Sequence, residues 1–255
     1  MQENDYPADT YLSLRRIFKN SPKDFFKELL RSSLNARQGY FDRLNDLNQK
    51  TSESLSNFLV STEFGEFKAF SHVLKKIPEK SVIHLANSMA VRYANILGGK
   101  SNSEVYCNRG TSGIDGSNST ALGHALYNKK PNYLLTGDMA FFYDRNAFWH
   151  NVIPKNLKIV IFNNHGGGIF RLIDGPAQQP ELEQYFETEQ KLTARNTALD
   201  FNMDYYFCDN ESDLATILPE FIKKNDTSAV LEIESNSYVN QKVFQAYKSL
   251  IKNGT

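Results

Sequence analysis

From residue 81 onward, short apolar runs alternate with stretches of helical spacing. The runs are VIHLA (82–86), EVYCN (104–108), NYLLTG (132–137), KIVIFN (158–163), DYYFC (204–208) and AVLEIE (229–234). Between them lie MAVRYANIL, STALGHALYN, FFYDRNAFWHNV and DLATILPEFIKK, and QKVFQAYKSLIKN closes the chain with a lysine-rich amphipathic helix. Most runs are apolar throughout, which suits strands covered on both faces. Six strands alternating with helices predict an α/β fold: a doubly wound, mainly parallel six-stranded sheet with helices on both faces.

The upstream rhythm is different. Residues 1–34 run from polar to amphipathic, through YLSLRRIF and SPKDFFKELL, with Ser21 as N-cap and Pro22 at the first helical position. No strand accompanies them, so 1–34 reads as a linker or tail and 35–255 as the main domain. Residues 38–77 predict two amphipathic helices, the first carrying Phe41, Leu44, Leu47, Leu55, Phe58 and Leu59 at helical spacing and the second spelling EFKAFSHVLKKI. Residues 171–200, rich in Gln, Glu and Pro, lack a strand and read as a loop or lid over a site, disordered or displaced without ligand.

Composition removes several function classes. Lys+Arg and Asp+Glu are 29 each in 255 residues, so net charge steers the chain neither to nucleic acid nor to an anionic membrane. No apolar run approaches the roughly 18 residues of a membrane helix. The start, MQENDYPADTY, has no basic and apolar leader, so a cytoplasmic protein without an integral membrane segment is expected. Cys107 and Cys208 fit no metal spacing and read as reduced thiols.

The chemistry gathers where strands end. In open parallel sheets, ligands bind beyond the carboxyl ends. Those ends read Asn87-Ser88, Asn108-Arg109-Gly110, Gly137-Asp138 and Asn163-Asn164-His165-Gly166. A carboxylate, a carboxamide oxygen and a backbone carbonyl are hard ligands that suit Mg²⁺. Gly166, Gly167 and Gly168 permit positive φ and close backbone approach. Their N–H groups, with those of the helix start after Asp138, suit phosphate oxygens. Neither a GxxxxGK[ST] loop nor a GxGxxG after the first strand is present. Blander readings stand beside these. Asp138 has the alternative of a simple N-cap, Arg92 and Arg109 of structural ion pairs, and Asp115 of a loop brace. Asn163 and His165 read as structural loop residues, His84 and His124 as packing residues, and His72 and His150 as helix residues without partners. Tyr143, Phe148 and Trp149 read as core.

Gly137-Asp138 followed by Asn163-Asn164, with Asn164 26 positions after Asp138, resembles the diphosphate–Mg²⁺ motif of thiamine-diphosphate enzymes. With NRGTSGIDGSNSTALG (108–123), NNHGGGIF (163–170) and ANSMAVR (86–92), residues 38–255 resemble one family: the 2-succinyl-5-enolpyruvyl-6-hydroxy-3-cyclohexene-1-carboxylate (SEPHCHC) synthases of menaquinone biosynthesis. The resemblance implies the thiamine-diphosphate-binding fold, with residues 1–34 as the tail of a preceding middle domain. It implies thiamine diphosphate with Mg²⁺ or Mn²⁺ as cofactors. Asp138 and Asn164 would hold the metal through side-chain oxygens, and Gly166 through its carbonyl. Gly137, Met139, Ala140 and Gly167 would complete the cofactor cradle, Ile114 would prop the bent cofactor, and Ile169 and Phe170 would form the apolar wall. Met139 stands where many thiamine enzymes have a third glycine.

The family decarboxylates 2-oxoglutarate and adds the succinyl carbanion to isochorismate. Both substrates are dicarboxylates, and Ser88, Arg92 and Arg109 match positions that hold their carboxylates. The resemblance also implies a homodimer or homotetramer whose sites are shared between subunits. The family's catalytic glutamate lies in a pyrimidine-binding domain that nothing here matches, and neither Glu63 nor Glu66 is nominated in its place. The chain then carries half a site and is inactive alone. The alternatives are the diphosphate domain of an acetolactate-synthase-like enzyme or oxoacid decarboxylase, a non-catalytic Mg²⁺-diphosphate module, or one chain of a split enzyme.

Overall fold

The computed structural model describes residues 8–32, 39–100, 102–150 and 152–254. The chain divides into two compact units, Met1–Gln49 and Lys50–Thr255. The boundary expected between residues 34 and 35 falls outside the described residues. In the first unit, α1 (Pro22–Arg31) starts as its sequence predicts: Pro22 opens the helix and Ser21 Oγ accepts the Asp24 N–H at 3.2 Å. None of its residues is buried. Helix α2 (Tyr40–Ser61) begins in this unit, where Phe41, Leu44 and Leu47 are exposed. It ends in the second, where Leu55 and Leu59 are buried.

The second unit runs α3 (Glu66–Lys76), β1 (Val82–Leu85), α4 (Met89–Leu97), β2 (Glu104–Cys107), α5 (Ser117–Tyr127), β3 (Asn132–Gly137), α6 (Asp138–Tyr143), β4 (Leu157–Asn163), α7 (Arg195–Asp200), β5 (Asp204–Cys208), α8 (Glu211–Lys223), β6 (Ala229–Glu234) and α9 (Ser237–Gly254). All five strand pairings are parallel, in the order β2-β1-β3-β4-β6-β5. The order turns back between β1 and β3, so the carboxyl ends of these two strands flank a crevice.

Strand alternation feeds two cores. Tyr133, Leu135, Val160, Phe162 and Leu231 face one cluster with α3, α4, α8 and α9. Leu134, Ile159, Ile161 and Val230 face another with α5, α6 and α7. Both faces of the central strands are thus buried, which is why their sequences are mostly apolar, and polar residues they carry, His84, Asn132, Lys158 and Glu232 among them, are buried with them. The edge strand β2 is the exception: Glu104, Val105 and Tyr106 are exposed. No helix among the described residues is long and apolar enough to cross a membrane.

Three expectations need correction. The helical reading of FFYDRNAFWHNV stops early, because Asp144 turns away to accept from Ser119 N (2.7 Å) and Ser119 Oγ (2.8 Å) at the start of α5. Only one 3₁₀ turn, Arg145–Phe148, follows. Phe148 is core, whereas Tyr143 and Trp149 are exposed and His150 lies past the helical turns. His72 does have a partner, Glu211 at 3.1 Å. Residues 171–200, expected to be disordered or displaced without ligand, are folded and bonded to the loop after β4. They fold into short helical turns, Pro176–Gln178 and Leu182–Glu187, and then α7. A buried ion pair within the strap, Arg171 with Glu187, braces it, and backbone bonds from Gly167 N to Glu187 O and from Gln190 N to His165 O tie it to the loop after β4.

Candidate functional site

Each strand end contributes one part of a single crevice. After β1, Asn87 is buried and knits two loops together. Its Nδ2 donates to Asn108 O (2.7 Å) and to Gly113 O, and its Oδ1 accepts from Arg109 Nη1 at 3.1 Å. Ser88 follows with φ 73° and ψ −127°, a conformation disfavoured for any residue with a side chain. Strain of this kind persists where the surroundings enforce it; here Arg92, one turn into α4, donates to the Ser88 carbonyl at 2.7 Å.

After β3, Asp138 opens α6 and is buried, with Gln190 Nε2 donating to its Oδ2 at 2.8 Å. Burial pushes its carboxyl up to about 6, opposed by hydrogen bonds from Gln190 and the Met139 and Gly166 amides and by nearby His165. After β4, Asn163 points inward and is consumed structurally. It donates to Leu192 O and Glu232 Oε1 and accepts from the His165 amide and Gln190. Asn164 instead turns to the crevice: its Nδ2 donates to Glu66 Oε1 at 2.8 Å, while its buried Oδ1 has no partner.

The glycines work differently from expectation. The left-handed residue of the loop is His165 (φ 63°), and none of Gly166, Gly167 and Gly168 has positive φ. Their value is the missing Cβ. A Cβ on Gly166 would stand 2.8 Å from the Glu187 carbonyl, and one on Gly168 would stand 2.9 Å from Asn164 Nδ2. The strap therefore lies directly on the loop, tied by Gly167 N to Glu187 O at 2.7 Å and Gln190 N to His165 O at 2.9 Å.

All thirteen expected site residues line one cavity of about 520 Å³: Gly137, Asp138, Met139 and Ala140; Asn164, Gly166 and Gly167; Ile114, Ile169 and Phe170; Ser88, Arg92 and Arg109. Phe70, Phe162 and Phe186 extend the apolar wall. A second cleft of about 530 Å³, bordered by Arg145, Trp149 and Lys191, gathers none of them.

Glu66 was passed over in the sequence, yet it lines this cavity too. It is buried, and its carboxyl is pushed up to about 8 by burial and then by the charge of Asp138, against hydrogen bonds from Asn164 and Tyr93. As a glutamate in the first turn of a helix it reads as an ordinary exposed, dipole-favoured residue. Nothing local announces that α3 tucks it under Asn164, 98 positions away. Gln190, inside the polar strap, carried no signal either.

The donor set fits a hard divalent cation. Two buried carboxylates, Glu66 and Asp138, face one another's field without a cationic side chain bonded to either. The buried amide oxygen of Asn164, which lines the same cavity, has no partner. Among the described residues no group of three or more His, Cys, Asp and Glu gathers. The cation would thus share its oxygens with a ligand, as Mg²⁺ does with phosphates.

Comparison with known proteins agrees with this geometry. Residues 87–233 match the family described as thiamine pyrophosphate enzyme, C-terminal TPP binding domain. A SEPHCHC synthase of Cytophaga hutchinsonii is 50% identical over 190 residues, covering 74% of this chain and 34% of the relative. One from Flavobacterium johnsoniae is 38% identical over 239 residues, covering 94% and 43%. The chain thus spans well under half the length of these curated relatives. Among solved structures, benzoylformate decarboxylase from Polynucleobacter necessarius superposes with a TM-score of 0.56 at 14% identity, over 70% of this chain and 34% of that one, a likeness of fold alone.

Proposed function

The chain belongs to the thiamine pyrophosphate enzymes through their C-terminal TPP-binding domain, and from that premise we propose that it is the diphosphate- and Mg²⁺-binding portion of a SEPHCHC synthase. The observation that carries the reading is the free, buried Oδ1 of Asn164, a residue that lines one cavity with Asp138 and every other expected residue. Asp138 Oδ, Asn164 Oδ1 and the Gly166 carbonyl would hold Mg²⁺, or Mn²⁺ in its place. Of the amides expected to meet the diphosphate, those of Met139 and Gly166 bond Asp138, that of Gly167 bonds Glu187 O and that of Gly168 bonds Gly166 O, so it is the Ala140 amide, at the start of α6, that suits the diphosphate. Thiamine diphosphate, when bound, supplies the thiazolium carbon that accepts the electrons left by decarboxylation of a 2-oxo acid. Ile114 supports the cofactor, and Ile169 and Phe170 keep water from the reacting carbon.

Arg92 and Arg109 separate this reading from other thiamine enzymes. Both line the cavity, and each spends one guanidinium nitrogen on the backbone or amide next to it. The remaining donors suit the paired carboxylates of 2-oxoglutarate and isochorismate. Residues 35–255 form the diphosphate domain in this reading, and 1–34 end a preceding middle domain. The family reading also places the enzyme in the cytoplasm as a homodimer or homotetramer, with the catalytic glutamate supplied by a pyrimidine-binding domain outside this chain. The polypeptide alone is inactive, and SEPHCHC formation by it would refute that.

The test is calorimetric titration of the chain with thiamine diphosphate, in Mg²⁺ and in EDTA, beside Asp138→Ala. Mg²⁺-dependent heat that vanishes in the variant supports the reading. Equal heat in EDTA, or in the variant, removes it.

A further inference from the structure

We infer that Glu66 is a positioning residue that fixes which end of the Asn164 amide faces the cation. The inference rests on the metal-site reading above and adds a residue that the sequence motif does not contain.

A carboxamide is nearly symmetric in shape, and a half-turn about its last bond exchanges oxygen for nitrogen. The two orientations are opposite in function, since an NH₂ group offers a cation no lone pair. Something has to hold the oxygen forward. Asn164 has one side-chain hydrogen bond, from Nδ2 to Glu66 Oε1 at 2.8 Å, and its Oδ1 is left buried without a partner. The contact runs from Nδ2 to a carboxyl oxygen, so it selects the amide nitrogen and sends the amide oxygen to the other side. Gly168 leaves room for this rotamer, because a Cβ there would stand 2.9 Å from Nδ2.

Glu66 is itself held from two sides. Its backbone N–H donates to Asn240 Oδ1 at 2.8 Å, and Tyr93 Oη donates to Oε2 at 3.4 Å. Tyr93 is fixed by stacking on Phe67, with ring centroids 4.9 Å apart. The chain thus runs α9, α3, Asn164, cation. Helices packed on one face of the sheet set the orientation of a ligand at its end. Partners of metal ligands commonly govern affinity by about 10–100-fold.

The alternative role is direct ligation of the cation by the Glu66 charge, and two variants separate the two. Glu66→Gln keeps an oxygen for Asn164 Nδ2 and loses the charge. Glu66→Met keeps the bulk and loses the acceptor. Positioning predicts that Glu66→Gln binds Mg²⁺–thiamine diphosphate within about threefold of the parent, while Glu66→Met falls at least about tenfold, by calorimetry. A readout without ligand accompanies it: the Asn164 side-chain amide resonance in a ¹⁵N correlation spectrum, assigned by its loss in Asn164→Ala. Protection from solvent exchange in the parent and in Glu66→Gln, lost in Glu66→Met, supports the inference. An amide signal unchanged in Glu66→Met, or a Glu66→Gln affinity as poor as that of Glu66→Met, overturns it. Should Glu66→Met not fold, Glu66→Gln decides by the same threefold and tenfold limits. If the parent shows no Mg²⁺-dependent heat, the functional reading falls with its metal site, while the amide spectra still judge the contact.

Discussion

The two ends of the same sheet treat buried polar groups in opposite ways. On the amino side, Lys158 is buried at the start of β4, and its Nζ donates to Phe221 O (2.7 Å) and Lys224 O at the carboxyl end of α8. Asn132 opens β3 with both ends of its amide engaged, accepting from His84 and donating to Asn128 and Lys130 O. On the carboxyl side, two buried carboxyl groups, of Glu66 and Asp138, line one crevice. Five buried side-chain polar atoms among the described residues lack a partner, and four of them, on Ser117, Asn118, Asn164 and His165, lie in segments that follow strand carboxyl ends. A buried polar group without a partner costs free energy. Of the four residues only Asn164 lines the candidate cavity, and its free oxygen is where the proposed cation would bind.

The largest effect should come from breaking the open end. Asp138→Ala is expected to lower Mg²⁺-dependent thiamine diphosphate affinity at least about 100-fold, as for removal of a charged metal ligand. The same change should leave melting temperature in EDTA unchanged or higher, because it deletes a carboxylate that burial disfavours. Loss of stability in EDTA would show instead that Asp138 is a structural cap.

Much of this contrast was legible in the sequence. The sheet announced itself because its central strands are apolar on both faces, and Asp138 and Asn164 because turn-forming residues ended four successive strands. Ile169 and Phe170 followed from the resemblance. Glu66 and Gln190 stayed hidden because their roles are made by tertiary contact: each sits in a segment whose local pattern is that of an exposed helix start or a polar loop. Trp149 misled for the converse reason. Its spacing is helical, but the helix ends at Tyr143 when Asp144 bonds to α5.

The closed end should break as stability without touching binding. Lys158→Met leaves the Phe221 and Lys224 carbonyls without their donor, at a cost of about 1–3 kcal/mol in urea unfolding. Cofactor affinity is expected to stay within twofold. A parallel fall in affinity would mean that the two ends are mechanically coupled and the contrast is false.

His84 gives the closed end a pH signature of similar or smaller size. Burial holds its pKa down at about 4, opposed by Asn132, with a further lowering by His124. The unfolded chain takes up a proton near the ordinary 6.5, while the folded chain does not until about 4. Stability is therefore complete above pH 6.5, declines as pH falls towards 4, and is flat in this group below that. The loss is on the order of 3 kcal/mol. His84→Gln should flatten this part of the denaturation profile measured between pH 4 and 7. A slope that persists in the variant assigns it to other groups.

The smallest effect is expected at Gln190, and it sharpens the comparison within the open end. Gln190 Nε2 donates to Asp138 Oδ2 at 2.8 Å and to Asn163 Oδ1 at 3.2 Å, so it resembles Glu66 in touching an expected ligand. The two ligands differ in what else holds them. Asn164 has Glu66 as its single side-chain partner, whereas Asp138 also accepts from the Met139 and Gly166 amides, which no substitution at 190 removes. The backbone bond from Gln190 N to His165 O also survives, so the strap stays tied. Gln190→Ala should therefore cost about 1 kcal/mol of stability in EDTA and change Mg²⁺–thiamine diphosphate affinity by less than about threefold. A tenfold loss of affinity would place Gln190 beside Glu66 as an orienting residue and make the strap part of the metal site. A change confined to stability leaves orientation of the open end to α3 and the backbone amides.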